Sequence, residues 1–188
     1  MTSAAPDIDQ LTPGARLILT TAAALFYDRG IHSVGVDTIA EESGVTKRTL
    51  YNNFGSKDTL VATYLEARHH TWWARLERRI EAAEPPRALT LFDVYAEDTL
   101  TATRGCAFLN AAAELPVDHP GYAIIRHHKQ AIEDLLRRVI SADDPTASAD
   151  RLARHMFLLL EGAFAHQGIH GPDLLSEARE IARDLLEP

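Results

Sequence analysis

From Thr12 onward the apolar residues of this chain recur three and four positions apart, and no stretch of four or more alternates apolar with polar between turn signals. Spacing of three and four lines one face of a helix, whereas a half-buried strand needs a period of two. The chain is therefore expected to be all-α, with about nine helices. Glycine and proline mark their ends. Thr12 caps a helix that runs to Arg29, with Pro13 at its first position and Gly30 just past its end. Shorter helices cover about Val36–Ser43 and Thr46–Phe54, each followed by a glycine. A long helix follows from Lys57 to Ala83, stopped by Pro85-Pro86, and further helices are expected at about 87–103, 106–115, 120–141, 147–169 and 172–186.

The informative segment is Ile39 to Tyr51. Two helices joined by a tight turn need a small residue where they touch, a glycine able to take positive φ in the turn, and an inward apolar residue on the second helix. Ala40, Gly44 and Leu50 meet these needs, with Ile39 and Val45 supplying the surrounding core and Thr46 capping the second helix. The polar residues left over are Lys47, Arg48, Thr49, Tyr51, Asn52 and Asn53. From Gly44 to Lys57 there are three basic residues and no acidic one, although the first 60 residues together carry 5 basic and 7 acidic side chains. Positive charge is thus focused on one helix. Lys47 and Arg48 suit base edges or phosphates of a major groove, and Thr49 and Tyr51 suit phosphate oxygens. Lys57 opens the next helix, where free backbone N–H groups also favour an anion. A helical hairpin with a merely solvated polar face is the competing reading.

The segment Phe26-Tyr27-Asp28-Arg29-Gly30 and the run from Val36 to Leu60, above all Thr49-Leu50-Tyr51 … Phe54-Gly55-Ser56-Lys57, resemble the DNA-binding domain of the TetR family of bacterial transcriptional regulators. The resemblance implies a helix-turn-helix domain over residues 1–56 and a helical ligand-binding and dimerisation domain over 57–188, with helix 57–83 as connector. It implies that Thr46, Lys47, Arg48, Thr49, Tyr51, Asn52 and Asn53 lie on the recognition helix, and that Lys57 with Tyr51 clamps a phosphate. Gly35 stands where many members carry a Thr or Ser cap, and Asn53 where His is frequent.

The last two helices carry more apolar surface than one core needs. Leu152, Met156, Leu159 and Ala163 line the first, and Leu174, Ala178, Ile181 and Leu185 line the second. A terminal helix pair that is apolar over a wide arc is expected to press against a partner, here in the four-helix interface of a homodimer. The resemblance also implies a small-molecule effector. Trp72, Phe92, Tyr95, Phe108, Asn110, Tyr122, His127, Phe157 and Phe164 are the candidate pocket residues. The expected function is a ligand-responsive DNA-binding regulator, a repressor released from double-stranded operator DNA. The rival is an all-helical ligand-binding or adaptor module without specific DNA binding.

Other classes are disfavoured. With 46% hydrophobic and 24% charged residues the chain is no disordered tail. A net charge of −8 excludes a uniformly basic coat, and one cysteine, Cys106, excludes a disulfide framework. Cys106 follows Gly105 near a helix start, a place that favours a thiolate, but a buried inert thiol is the commoner outcome. His166 and His170 are four apart, yet Gly168 is expected to interrupt their helix, so no metal site is expected. No nucleophile, paired-carboxylate or Gly-rich phosphate loop stands out, so neither catalysis nor a cofactor is expected. The longest clean apolar run, Met156 to Leu160, is far short of the ~20 residues a bilayer requires. Residues 1–10 lack a signal-peptide pattern, which makes the cytoplasm the expected compartment.

Overall fold

A computed structural model describes residues 8–99, 104–170 and 173–187. A short 3-10 turn at Ile8–Gln10 precedes nine α-helices among the described residues. They are α1 (Pro13–Arg29), α2 (Val36–Ser43), α3 (Lys47–Phe54), α4 (Lys57–Glu81), α5 (Leu89–Thr99), α6 (Ala107–Glu114), α7 (Pro120–Asp143), α8 (Ala149–His170) and α9 (Leu174–Leu186). No described helix is long and apolar enough to cross a membrane. The expected end of the fifth helix at 100–103 and the expected start of the last at Pro172 lie outside the described residues.

The helix ends follow the local chemistry. Thr12 Oγ1 accepts the Ala15 N–H at 3.2 Å and so satisfies one of the donors that a helix start leaves over. At the other end of α1, Gly30 adopts φ +88°, and its N–H reaches the Phe26 carbonyl at 3.1 Å. Gly44, at φ +66°, turns α2 into α3. One expectation fails: α8 runs through Gly168 to His170 without a break, bringing the His166 and His170 rings to 5.8 Å. A single helical glycine costs only about 1 kcal/mol, which tertiary packing readily overrides.

The chain packs as two units. One comprises the described residues up to Thr71 together with Ala107–Arg126, and the other comprises Trp72–Cys106 together with the described residues from His127 on. In the first, α1 packs on both α2 and α3, and Ile18, Ile39, Leu50, Phe54, Leu60 and Leu65 are fully buried. Each such side chain contributes roughly 1.5–3 kcal/mol, so the two short helices are held by this core more than by their own propensity. In the second, α5, α8 and α9 pack on one another, with Leu91, Phe92, Ile132, Leu136 and Met156 in the core.

That packing corrects the expected interface stripe. Met156 is 0% exposed, and Leu152, Ala163 and Ala178 are also buried within the chain's own core. Leu159 and Leu174 are half-buried. Only Ile181 and Leu185, at 48% and 37%, face outward. The apolar arc of α8 is wide enough to serve two sides. Its inward stripe packs on the neighbouring helices, while Leu158 and Ile169, which the stripe omitted, are exposed.

Candidate nucleic-acid interface

Everything that positions α3 lies in the first unit. Leu50 points into the core, and the Val45 N–H donates to the Ala40 carbonyl at 3.1 Å, closing the turn. Thr46 Oγ1 accepts the Thr49 N–H at 3.2 Å as the N-cap and lies 2.9 Å from the Thr49 hydroxyl. Asn53 donates to the Thr49 carbonyl at 2.7 Å and accepts from the Thr12 hydroxyl at 3.3 Å, which ties the end of α3 to the start of α1. Gly55, at φ +73°, stops the helix with its N–H on the Tyr51 carbonyl.

The outward face carries Lys47, Arg48, Tyr51 and Asn52, all exposed. Lys47 forms an ion pair with Asp37 in the first turn of α2. Among the described residues, Arg48, Tyr51 and Asn52 hold no side-chain hydrogen bond or ion pair. The eight expected DNA-contacting residues therefore divide. Arg48, Tyr51 and Asn52 are free to meet a ligand, and Lys47 is available once it leaves Asp37. Thr46, Thr49 and Asn53 are engaged in shaping the helix itself.

Lys57 departs from its expected geometry. Its ammonium donates to the Ile31 carbonyl at 2.6 Å and sits 6.0 Å from the Phe26 ring centroid. Partial burial lowers its pKa, partly offset by the carboxylates of Asp58 and Glu114. The lysine thus holds the α1–α2 turn, leaving two of its three donors for a phosphate. Glu114 holds the same turn from α6, accepting the His32 N–H at 2.7 Å. Sequence reasoning missed Glu114 because nothing local marks a contact across 82 residues.

The expected pocket residues are only partly brought together. Tyr95 stacks edge-on with Trp72 (5.5 Å) and Phe164 (4.9 Å), and Trp72 also meets the buried His128 at 5.2 Å. This cluster is packed and hydrogen-bonded. Trp72 Nε1 donates to Asp98 at 2.6 Å, and the Tyr95 hydroxyl donates to Glu161 at 2.9 Å. Lys129 bridges Glu161 at 2.5 Å and the buried Cys106 Sγ at 3.5 Å. Burial, with the Glu161 carboxylate next, pushes the Tyr95 pKa well above its ordinary value. Phe92 and Phe108 are plain core, Asn110 and Phe157 are half-buried, and His127 is exposed. Tyr122 lies in the first unit under the Arg126 guanidinium. None of the nine lines the pocket of about 400 Å³ found at the ends of α7 and α9.

Comparison with known proteins agrees with the geometry of α2 and α3. The family described as "Bacterial regulatory proteins, tetR family" matches residues 18–64, which span the turn and the whole of α3. A 49-residue stretch is 44% identical to the HTH-type transcriptional activator FasR of Mycolicibacterium smegmatis; it is 26% of this chain and 22% of that protein. The chain thus spans about a fifth of that relative's length. Over nearly its full length it is similar to SCO4454, a TetR-family transcriptional regulator from Streptomyces coelicolor, at 30% identity and a TM-score of 0.84, covering 92% of this chain and 94% of that one. It is also similar to sav143, a putative TetR-family regulator from Streptomyces avermitilis, at 28% identity and a TM-score of 0.82, covering 94% and 97%. A helix-turn-helix whose second helix is capped by Thr46 and presents an exposed face free of acid, and a fold matched over 92% of its length, make this chain a member of the TetR family of DNA-binding transcriptional regulators.

Proposed function

We propose that the protein works in the cytoplasm as a homodimeric repressor that leaves its operator when a small molecule binds. Residues 1–56 read DNA, residues 57–188 bind ligand and partner, and α4 connects them. The observation that carries the reading is the exposed face of α3, where Arg48, Tyr51 and Asn52 have no partner among the described residues. Arg48 reads a base edge, with guanine the natural bidentate match, and Asn52 suits adenine. Tyr51, Lys47 and the two free donors of Lys57 hold phosphates and fix register. Two copies of α3 must enter successive major-groove faces about 34 Å apart, so the outward apolar residues of α8 and α9 supply the two-fold contact. Ligand binding among the later helices shifts α4 and with it the spacing of the two α3 helices, so a ligand that prefers the shifted spacing weakens DNA binding by the same factor by which DNA weakens the ligand.

A gel shift with DNA flanking the protein's own gene, at low and moderate salt, tests this. A retarded band that weakens steeply with salt is expected, and its absence at low salt overturns the reading. The FasR stretch favours a second reading for the sign of regulation, since that relative is an activator. A reporter driven by the flanking promoter separates the two. Deleting the regulator raises output if it represses and lowers output if it activates.

A further inference from the structure

The pocket of about 400 Å³ lies wholly within the second unit, where the ends of α7 and α9 meet the starts of α5 and α8. Its volume falls in the range of small-molecule sites. Leu89, Ile140, Leu152 and Leu186 give it an apolar floor, and Asp143, Asp144, Glu187 and Arg183 supply its charges. Asp143 is neutralised, because its carboxylate accepts the Arg87 backbone N–H at 2.7 Å and the Arg87 Nε–H at 2.6 Å. The remaining charges of the lining are the carboxylates of Asp144 and Glu187 and the guanidinium of Arg183. Three carboxylates against two guanidinia leave one negative charge.

Two further features set its sign. Both α7 and α9 end here, at Asp143 and Leu186. Although the Ile140 and Arg183 carbonyls already accept the Asp144 and Glu187 N–H groups at 2.9 and 3.1 Å, the other terminal carbonyls of the two helices favour a cation, against the single start of α8 at Ala149, which favours an anion. The first N–H groups of α5, which would favour an anion, are already bonded: Leu89 to Pro86 and Thr90 to Arg87, each at 3.1 Å. The Thr146 hydroxyl and amide donate to Asp144 at 2.7 and 2.8 Å and hold its pKa below the ordinary carboxylate value, so it stays ionised at neutral pH.

The geometry points to a binding site for amphipathic monocations, an apolar body on the floor with one ammonium group between Asp144 and Glu187. That such binding is the effector signal rests on the function proposed above; that it occurs does not.

The test is a methyl-resolved NMR titration of the full chain, labelled at Ile and Leu, with three probes that share one body: 4-phenylbutylamine, 4-phenylbutanol and 4-phenylbutyrate. The amine is expected to shift the methyls of Leu89, Ile140, Leu152 and Leu186 saturably, and to bind at least about threefold more tightly than the alcohol or the acid, in line with a partly exposed ion pair. Asp144→Asn alone, which removes the one net negative charge, should bring the amine down to the level of the alcohol without changing the alcohol. Asp144→Asn with Glu187→Gln, which leaves one net positive charge, should favour the acid over the amine. Ala147→Trp, at the lining loop, should block all three. Equal or tighter binding of the alcohol or the acid overturns the charge assignment, and an absence of saturating shifts at these methyls overturns the site. A gel shift run with the amine separates the two claims. Binding without loss of the DNA complex keeps the site and removes its effector role.

Discussion

The Glu114 carboxylate, on the last residue of α6, accepts the backbone N–H of His32 at 2.7 Å and lies where a Cβ on Gly30 would meet it, 3.0 Å from Oε1. Gly30 itself sits at φ +88°, ψ 152°, a region that only glycine occupies freely. Gly30→Ala should therefore lower stability by about 1–3 kcal/mol through backbone strain, with the collision added. Glu114→Ala alone should cost about 1 kcal/mol for the lost hydrogen bond. Urea melts of both variants and of the double variant check this. The double variant should be less destabilised than the sum, because removing Glu114 also removes the collision.

Thr46→Ala removes the N-cap of α3. About 1 kcal/mol of stability should go with it, and DNA binding should weaken because α3 loses its preformed start. Thr46→Ser should recover most of both. Thermal melts paired with gel shifts test the link.

Arg48→Ala and Lys57→Ala should fail in different ways. Loss of Arg48 should relax base preference in a binding-site selection and leave the melting temperature near that of the parent. Loss of Lys57 should weaken all DNA sequences alike and flatten the salt slope by about one. It should also lower stability, because the Ile31 carbonyl loses its donor. A stable Lys57→Ala protein with an unchanged salt slope would refute both of its roles.

Ile181→Asp with Leu185→Asp should leave a folded chain that sediments as a monomer and no longer binds operator. Met156→Ala should instead destabilise by about 2–5 kcal/mol, because it opens a cavity in the core. Sedimentation and urea melts distinguish the exposed face of these helices from the buried one.

Tyr95 predicts a weakness at alkaline pH. Its pKa in the folded chain lies well above 10.0. The stabilisation is therefore complete below pH 10.0 and declines as pH rises from there through the folded value, because the unfolded chain releases the proton first. Tyr95→Phe should flatten the fall in stability above pH 10.0 by up to one proton. Denaturation curves from pH 8.5 to 11 measure it.

The fold could be read where local chemistry dictates geometry. Gly30, Gly44 and Gly55 all take positive φ, and Thr12 and Thr46 both cap helices, as their neighbours indicated. Spacing also placed Arg48, Tyr51 and Asn52 on the open side of α3. It could not show that Asn53 is taken up by Thr12, 41 positions away, or that Lys57 bonds Ile31, because such partners are chosen by tertiary packing. The same limit explains the interface stripe. Periodicity groups Met156 and Ile181 as apolar, but only packing decides that one is buried and the other exposed. The pocket eluded the sequence because an aromatic residue signals bulk, and its floor is aliphatic.

Thr46, Gly55, Asn53 and Thr12 together hold α3 by both ends before any duplex arrives. A tooth already cut to shape surrenders little freedom when it meshes with its rack. Encounter rates on related sites should then be nearly alike, and preference among them should appear as dwell time.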